Sequence, residues 1–116
     1  MNNNTAGHLA ESMARWFMRL RGYRIIACNE ITGKGTHAGE VDFIAKRGNT
    51  LVFVEVKKRS DIERAAYAIK PQQQQRIRRG ALAFLKRNPQ YANYNIRFDA
   101  ILITFPCTIQ YIKNAW

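Results

Sequence analysis

The stretch GEVDFIAKRGNTLVFVEVKK, residues 39–58, decides the fold that the rest of the sequence predicts. Two runs rich in β-branched and aromatic residues flank Gly48 and Asn49, which together form a two-residue turn signal. With the turn at these positions, Arg47 pairs with Thr50 and the two runs form a β-hairpin. A slip of one residue would mix the two faces of the hairpin, so the pattern itself favours this register.

In this register Asp42 lies opposite Glu55, and Glu40 lies opposite Lys57. Directly opposed Cβ atoms are about 4.5–5.5 Å apart, and like charges at that distance repel. Buried carboxylates need a compensating cation, and Mg²⁺ suits one or two carboxylates together with a substrate phosphate. The alternative is a solvated charge cluster at a sheet edge. The apolar run that turns charged only at Glu55 and Lys57 favours a chemical site.

The residues before the hairpin predict a helix and a strand. Thr5 can cap a helix that runs to about Arg21, where Gly22 supplies the stop. Residues 23–30 then read as a strand, and a glycine-rich loop leads into the hairpin. The apolar residues at helical spacing, which we expect to face the core, are Leu9, Met13, Trp16, Phe17 and Leu20. On the face of the hairpin opposite to the acids, we pair Val41 with Val56 and Phe43 with Val54.

The residues after the hairpin predict more helix and two strands. A capping-box pattern opens a short helix around residues 62–69, and Pro71 fits the first turn of a second helix that ends at Asn88. Strands follow at 94–104 and 108–114. The order predicts one α/β domain over residues 1–116, with a central mixed sheet of about five strands flanked by helices. The apolar face of the second helix comprises Ile77, Ala81, Phe84 and Leu85.

The charge balance predicts a polyanionic partner. Nineteen Lys and Arg residues against eight Asp and Glu give a net charge of +11 and a pI near 10.3. Nucleic acid is the commonest partner of so basic a protein, and an acidic protein or an anionic membrane surface are the alternatives. No run approaches the roughly 20 apolar residues of a membrane helix, and the N-terminus lacks signal-peptide features. We therefore expect a cytoplasmic protein with no membrane partner. Its thiols, Cys28 and Cys107, should be reduced and partly buried, with no zinc site.

Asp42, twelve residues and then Glu55-x-Lys57 resembles the signature of the PD-(D/E)xK nuclease superfamily. Four segments, beginning GHLAESMARWF, GEVDFIAKRGN, QQQRIRRG and IRFDAIL, resemble in order the YraN-like family of uncharacterised bacterial proteins. That family looks related to archaeal Holliday junction resolvases. The resemblance covers nearly the whole chain and implies a restriction-endonuclease-like fold.

The resemblance also implies residue roles. Asp42 and Glu55 would be metal ligands, joined by the carbonyl of Val56, and the metal would be Mg²⁺ or Mn²⁺. Lys57 would orient or help deprotonate the attacking water and stabilise charge on phosphate. Glu11 matches a helix glutamate that approaches the metal site in related nucleases. On the helical wheel, however, Glu11 points about 160–200° from the predicted apolar stripe, and a solvated glutamate is the alternative.

The sequence also departs from the related nucleases. Gln73 occupies the place of the lysine that reaches the active site, which removes a positive charge, although hydrogen-bonded or exposed glutamines in a first helical turn are common. Val41 replaces the superfamily's proline, and SDIERAAYAI replaces a glycine-containing element. His37 could touch a phosphate, but a lone loop histidine is more often a surface residue. For Asp99 we favour a structural pair with Arg97.

These features predict a Mg²⁺-dependent endonuclease that acts on DNA, with branched or damaged DNA as candidate substrates. The alternatives are a non-catalytic nucleic-acid-binding domain with a vestigial site and, third, a protein-interaction module. By analogy a homodimer would suit a two-fold junction. The expected phosphate contacts are Lys34, Lys46, Arg47, Lys58, Arg59, Arg76 and Arg79.

Overall fold

A computed structural model describes residues 3–31, 40–58, 70–104 and 108–116. The order of elements over these ranges agrees with the predicted order. The predicted helix around residues 62–69 lies outside them. The elements are α1 (Asn3–Leu20), β1 (Arg24–Ile31), β2 (Glu40–Arg47), β3 (Thr50–Lys58), α2 (Pro71–Arg87), a 3-10 turn (Pro89–Tyr91), β4 (Asn95–Thr104) and β5 (Thr108–Ile112).

The strands form one mixed sheet in the order β1-β2-β3-β4-β5. β3 and β4 are parallel, and the other neighbours are antiparallel. The predicted hairpin register is confirmed from Arg47–Thr50 to Phe43–Val54. The mixed α/β architecture predicted from the sequence is also confirmed, and it is compatible with a restriction-endonuclease-like fold. Among the described residues, no helix is long and apolar enough to cross a membrane.

Helix α2 returns the chain between the two parallel strands, which require such a crossover. It begins at Pro71, whose missing N–H costs nothing in a first turn, and ends before Asn88, as predicted. Ile77, Ala81 and Phe84 pack on Ile44, Leu51 and Phe53. Because β4 starts beside the hairpin turn, where the Asn95 N–H donates to the Asn49 carbonyl at 2.8 Å, the start of α2 lies at the opposite, open end of the hairpin.

Helix α1 covers the other face of the sheet, and its predicted core stripe is wrong. Ala10, Ala14 and Met18 are 0–1% exposed, whereas Leu9, Trp16 and Leu20 are 41%, 62% and 82% exposed. The physical reason is distance, because alanines let the helix axis lie close to the sheet, where larger side chains would not fit. Met13 and Phe17 are partly buried at the boundary. Thr5 lies inside the helix, which begins at Asn3, and so does not cap it.

The end of α1 agrees with the prediction. Gly22 has a φ of +91°, a conformation that favours glycine. The Tyr23 N–H donates to the Met18 carbonyl at 3.1 Å, and the Gly22 N–H donates to the Arg19 carbonyl at 3.0 Å. This is the Schellman arrangement, with Tyr23 and Met18 also in one apolar cluster. It turns the chain directly into β1.

The structural pair of Arg97 and Asp99 is confirmed as part of a larger network. Asp99 is fully buried and accepts hydrogen bonds from Arg97 Nε at 2.9 Å and from the Asn114 N–H at 3.1 Å. The Tyr111 hydroxyl also donates to Asp99, and Arg97 donates to the Tyr23 hydroxyl at 2.6 Å. The carboxylate is thereby paired and saturated, so the network joins β4, β5 and the start of β1.

The corrected stripe can be tested with two substitutions two positions apart. We expect Met18→Ala to lower the free energy of unfolding by about 2–5 kcal/mol, because it empties a fully buried site. Leu20→Ala removes a side chain of similar size from an exposed site, so its effect should stay within ~0.5 kcal/mol. Urea unfolding would measure both. A larger loss from Leu20→Ala than from Met18→Ala would restore the stripe expected from the sequence.

Candidate active site

Strands β2 and β3 part at the open end of the hairpin. Their register ends at Phe43–Val54 among the described residues, although both strands continue. In a regular ladder the Val56 N–H would donate to the Val41 carbonyl. It donates instead to Asp42 Oδ2 at 2.7 Å. The predicted ladder pairs of Asp42 with Glu55 and of Glu40 with Lys57 are therefore wrong, because a side chain has replaced the backbone as the partner of β3.

The parting is accompanied by a change of face in β2. Val41 packs in the apolar cluster of Ile44, whereas Phe43 packs in the cluster on the α1 side. Regular alternation, from which we placed Val41 on the face of Phe43, therefore fails around Asp42. The Asp42 carboxylate consequently reaches the backbone of the neighbouring strand.

Glu55 is the titratable centre of the site. Glu55 is 7% exposed, and its pKa is raised to about 9. Burial is the largest cause, the charge of Asp42 and a hydrogen bond with Asp42 also raise the pKa, and Lys57 lowers it. At neutral pH, without a cation, Glu55 is therefore protonated beside Asp42. This proximity of two carboxylates is what the hairpin pattern predicted, reached by a different backbone geometry.

Lys57 lies beside the carboxylates without neutralising them. Its Nζ is 3.7 Å from Glu55 Oε1, longer than a hydrogen bond, and its side chain is 20% exposed. Its effect on the pKa of Glu55 is smaller than those of burial and of Asp42. The ammonium group can therefore contact solvent or a bound anion while it stays next to the pair.

The donor set fits a hard divalent cation. Asp42 and Glu55 supply carboxylate oxygens, and the Val56 carbonyl points to the same side of β3 as its N–H, toward Asp42. The described residues contain no cluster of three or more His, Cys, Asp or Glu residues. Two carboxylates and a carbonyl suit Mg²⁺, which keeps several of its waters, better than zinc or a caged calcium.

Glu11 lies closer to this site than the predicted stripe implied. Measured from the true core stripe of Ala10, Ala14 and Met18, it is only about 60° around the helix. Its charge also contributes to the raised pKa of Glu55, as the smallest of the causes. The helical-wheel prediction measured the angle of Glu11 from a stripe whose residues are mostly exposed. The small residues Ala10 and Ala14 were the sequence signal that would have corrected it.

Gln73 lies in the first turn of α2 and is half-buried, as is Gln74. Since α2 begins at the open end of the hairpin, Gln73 is at the same end of the sheet as Asp42 and Glu55. That Gln73 reaches the site stays a prediction.

The predicted phosphate-binding cations are not brought together. Lys46 and Arg47 lie by the hairpin turn, four to five residues and roughly 13–17 Å along β2 from Asp42. There Lys46 Nζ lies 5.6 Å from the Tyr94 ring centre, and Arg47 packs on Tyr23 at 4.4 Å. Lys58 is at the open end, and Arg76 and Arg79 are exposed on α2.

Several predicted residues fall outside the described part of the chain or differ from expectation. Cys28 is exposed, which corrects the expected partial burial, because β1 is an edge strand. The residues whose side chains lie outside the described set are Lys34, His37, Glu40, Arg59 and Cys107.

The sheet, its two helices and the carboxylate pair define a mixed α/β protein compatible with a restriction-endonuclease-like fold. The chain belongs to uncharacterised protein family UPF0102, whose model matches residues 10–103. It is 43% identical to a UPF0102 protein of Paramagnetospirillum magneticum, over 95% of this chain and 85% of the relative. It is 45% identical to one of Rhodopseudomonas palustris strain BisB18, over 84% and 69%. A third, from Parvibaculum lavamentivorans, is 39% identical over 95% and 80%.

The proton on Glu55 predicts a pH-dependent stability. Its pKa is 4.5 ordinarily and about 9 here. Between these values the unfolded chain is ionised and the folded protein is protonated, so stability falls as pH rises through this window. We expect Glu55→Gln, which cannot ionise, to be more stable than wild type at pH 8 in EDTA by at least ~1 kcal/mol, or ~4 °C in Tm. Thermal melts at pH 5 and pH 8 would measure this.

Glu11→Gln is the matched control for this experiment. Because Glu11 is the smallest cause of the raised pKa, its replacement should leave most of the pH dependence in place. If Glu55→Gln changed Tm equally at pH 5 and pH 8, the raised pKa of Glu55 would be contradicted.

Proposed function

We propose that the protein is a metal-dependent endonuclease that hydrolyses phosphodiester bonds of DNA, a member of the PD-(D/E)xK superfamily acting on branched or damaged substrates. One observation carries the proposal. Asp42 and the buried Glu55 meet where β2 and β3 part, and Lys57 lies beside them. A buried, protonated glutamate beside a half-buried aspartate has the composition of a site that exchanges a proton for a cation.

Asp42, Glu55 and the Val56 carbonyl would hold Mg²⁺ or Mn²⁺. The cation would polarise a phosphoryl oxygen and lower the pKa of a bound water. The chain's own residues provide the remaining parts. Asp42 is held in place by the Val56 N–H, so its orientation is set by the backbone of β3. Lys57, partly exposed beside Glu55, can contact a phosphate oxygen or orient water.

The charge of the chain supports a nucleic acid as substrate. The net charge of +11 attracts a polyanion, and Arg76 and Arg79 are exposed on the first half of α2, toward the open end of the sheet. Such cations contact phosphates irrespective of base sequence. A preference for junctions, and a homodimer to match their symmetry, follow only by analogy with related resolvases.

The second candidate is a nucleic-acid-binding domain with a vestigial site. Gln73 favours it, because an amide cannot supply the positive charge of the lysine that it replaces near the phosphate. The intact set of Asp42, Glu55 and Lys57 favours the enzyme. Both candidate functions use the same basic surface, and they differ in whether the protein cleaves the nucleic acid that it binds.

Cleavage of labelled linear, flapped and four-way DNA tests the proposed enzyme. With Mg²⁺ or Mn²⁺ we expect wild type to release products, and Glu55→Ala and Lys57→Ala to be slower by about 100-fold or more, since each removes a group that acts on the reacting phosphate. Lys86→Ala removes an exposed lysine from the last turn of α2 and should cleave at the wild-type rate.

The outcomes separate the candidates. Equal cleavage by wild type, Glu55→Ala and Lys57→Ala would contradict the assigned site. Binding by all three proteins without cleavage, with both metals and all substrates, would favour the vestigial domain. Absence of salt-sensitive DNA binding would contradict both and leave a protein-interaction module.

Salt dependence tests the DNA-binding face. The logarithm of the binding constant should fall linearly with the logarithm of salt concentration, and Arg76→Ala should reduce the slope by about one for one lost phosphate contact. Arg79→Ala should act in the same way. Arg19→Ala removes an exposed arginine from the helix on the opposite face and should leave the slope unchanged. Equal changes of the salt slope in Arg19→Ala and Arg76→Ala would contradict the assignment of DNA binding to the exposed face of α2.

A further inference from the structure

Helix α1 has a second apolar face that the sheet does not cover. Leu9, Met13, Trp16 and Leu20 are four, three and four residues apart, the spacing of a helix seam. Three of them are substantially exposed. Together with Ser12, Phe17 and Ile109 of β5, they line a groove of about 430 Å³.

The groove is apolar inside and cationic at its rim. Apart from Ser12, all its lining residues are hydrophobic. Arg15 Nη2 donates to Ser12 Oγ at 3.2 Å, and the Arg19 guanidinium lies 5.5 Å from the Trp16 ring centre. The Arg21 guanidinium lies 5.2 Å from the Phe17 ring centre, at the helix C-terminus. Three arginines thus follow the helix side and the end of one hydrophobic recess.

We propose that this groove binds a short amphipathic segment of another protein, with apolar side chains that enter the recess and carboxylates that pair with the arginines. The helix-in-groove mode uses apolar anchors at such spacings, and the volume admits a few large side chains. Charge complementarity decides the chemistry of the partner, because carboxylates are the peptide groups that arginines bind in bidentate geometry.

The same observations disfavour two other occupants. A second copy would bring three identical arginines to the rim, and each chain carries +11. Nucleobases stack on aromatic rings, but Arg19 covers the exposed ring of Trp16 and the other three residues of the stripe are aliphatic.

The test uses three fluorescein-labelled synthetic helical peptides with full-length protein. The first has leucines at four-three-four spacing flanked by glutamates, the second has lysines in place of the glutamates, and the third keeps the glutamates but has serines in place of the leucines. By fluorescence anisotropy we expect the first peptide to bind at least tenfold more tightly than the other two. Equal binding of the first and third would show only charge attraction, and would overturn the proposal.

Substitutions locate the binding on the groove. Trp16→Ala should weaken binding of the first peptide at least tenfold, and Arg19→Glu should shift the preference toward the lysine peptide. Leu82→Ala is the matched control, because Leu82 on α2 is exposed to the same 62% as Trp16. Its binding should stay within twofold of wild type. An equal loss from Leu82→Ala and Trp16→Ala would overturn the assignment.

Two further measurements would identify a different occupant of the groove if the proposal is wrong. Dimerisation of the free protein in sedimentation, lost in Trp16→Ala, would give the groove to a second copy. Binding to phosphatidylglycerol vesicles that is lost in Trp16→Ala, without binding of the glutamate peptide, would give it to a lipid surface. Either result would overturn the proposal, and both are independent of DNA cleavage.

Discussion

The hydrogen bond from the Val56 N–H to the Asp42 carboxylate is the interaction on which the candidate site depends. An antiparallel ladder that continued to the end of β2 would join the two strands through their backbones and leave no room between them. Because a side chain takes the place of a carbonyl, β2 and β3 part at this point. Each strand stays paired with its outer neighbour: Val41 of β2 with Glu30 of β1, and Glu55 of β3 with Ala100 of β4. The two strands that carry the carboxylates are therefore held in place by β1 on one side and by β4 on the other.

Burial gives this opening its chemical character. Glu55 lies on the central strand of five, so water reaches it poorly and its pKa rises to about 9. The contrast with Asp99, on the adjacent strand, is informative. Asp99 is more deeply buried, yet Arg97, the Tyr111 hydroxyl and a backbone N–H compensate its charge. Glu55 instead has the Asp42 carboxylate and one ammonium, Lys57 Nζ, at 3.7 Å from Oε1, beyond hydrogen-bond distance. Two buried acids thus differ in whether the protein itself supplies the counter-charge.

The sequence predicted the hairpin and its register because alternation and turn chemistry are local signals. The sequence predicted that Asp42 and Glu55 approach each other. It did not predict the backbone geometry that brings them together, because the parting of β2 and β3 at Asp42 has no local sequence signal. The stripe of α1 was assigned wrongly because hydrophobicity favours Leu9 and Trp16, whereas close packing selects Ala10 and Ala14. The partners of Asp99 come from distant segments, so the sequence predicted only the pair with Arg97 on the same strand.

Three sides of helix α1 have different surroundings: the sheet, the carboxylate site and the apolar groove. The alanine side packs on the sheet and allows a close approach. That approach brings Glu11, about 60° around the helix, near enough to raise the pKa of Glu55. The apolar groove lies on a third side, away from Glu11, and a molecule bound there would not touch the carboxylates. Its influence on them would have to pass through the position of α1 on the sheet, which rests on side chains as small as Ala10 and Ala14 and so has little freedom to shift without a clash. The groove on α1 and the carboxylate site between β2 and β3 are therefore separate sites, connected only through the packing of α1 on the sheet.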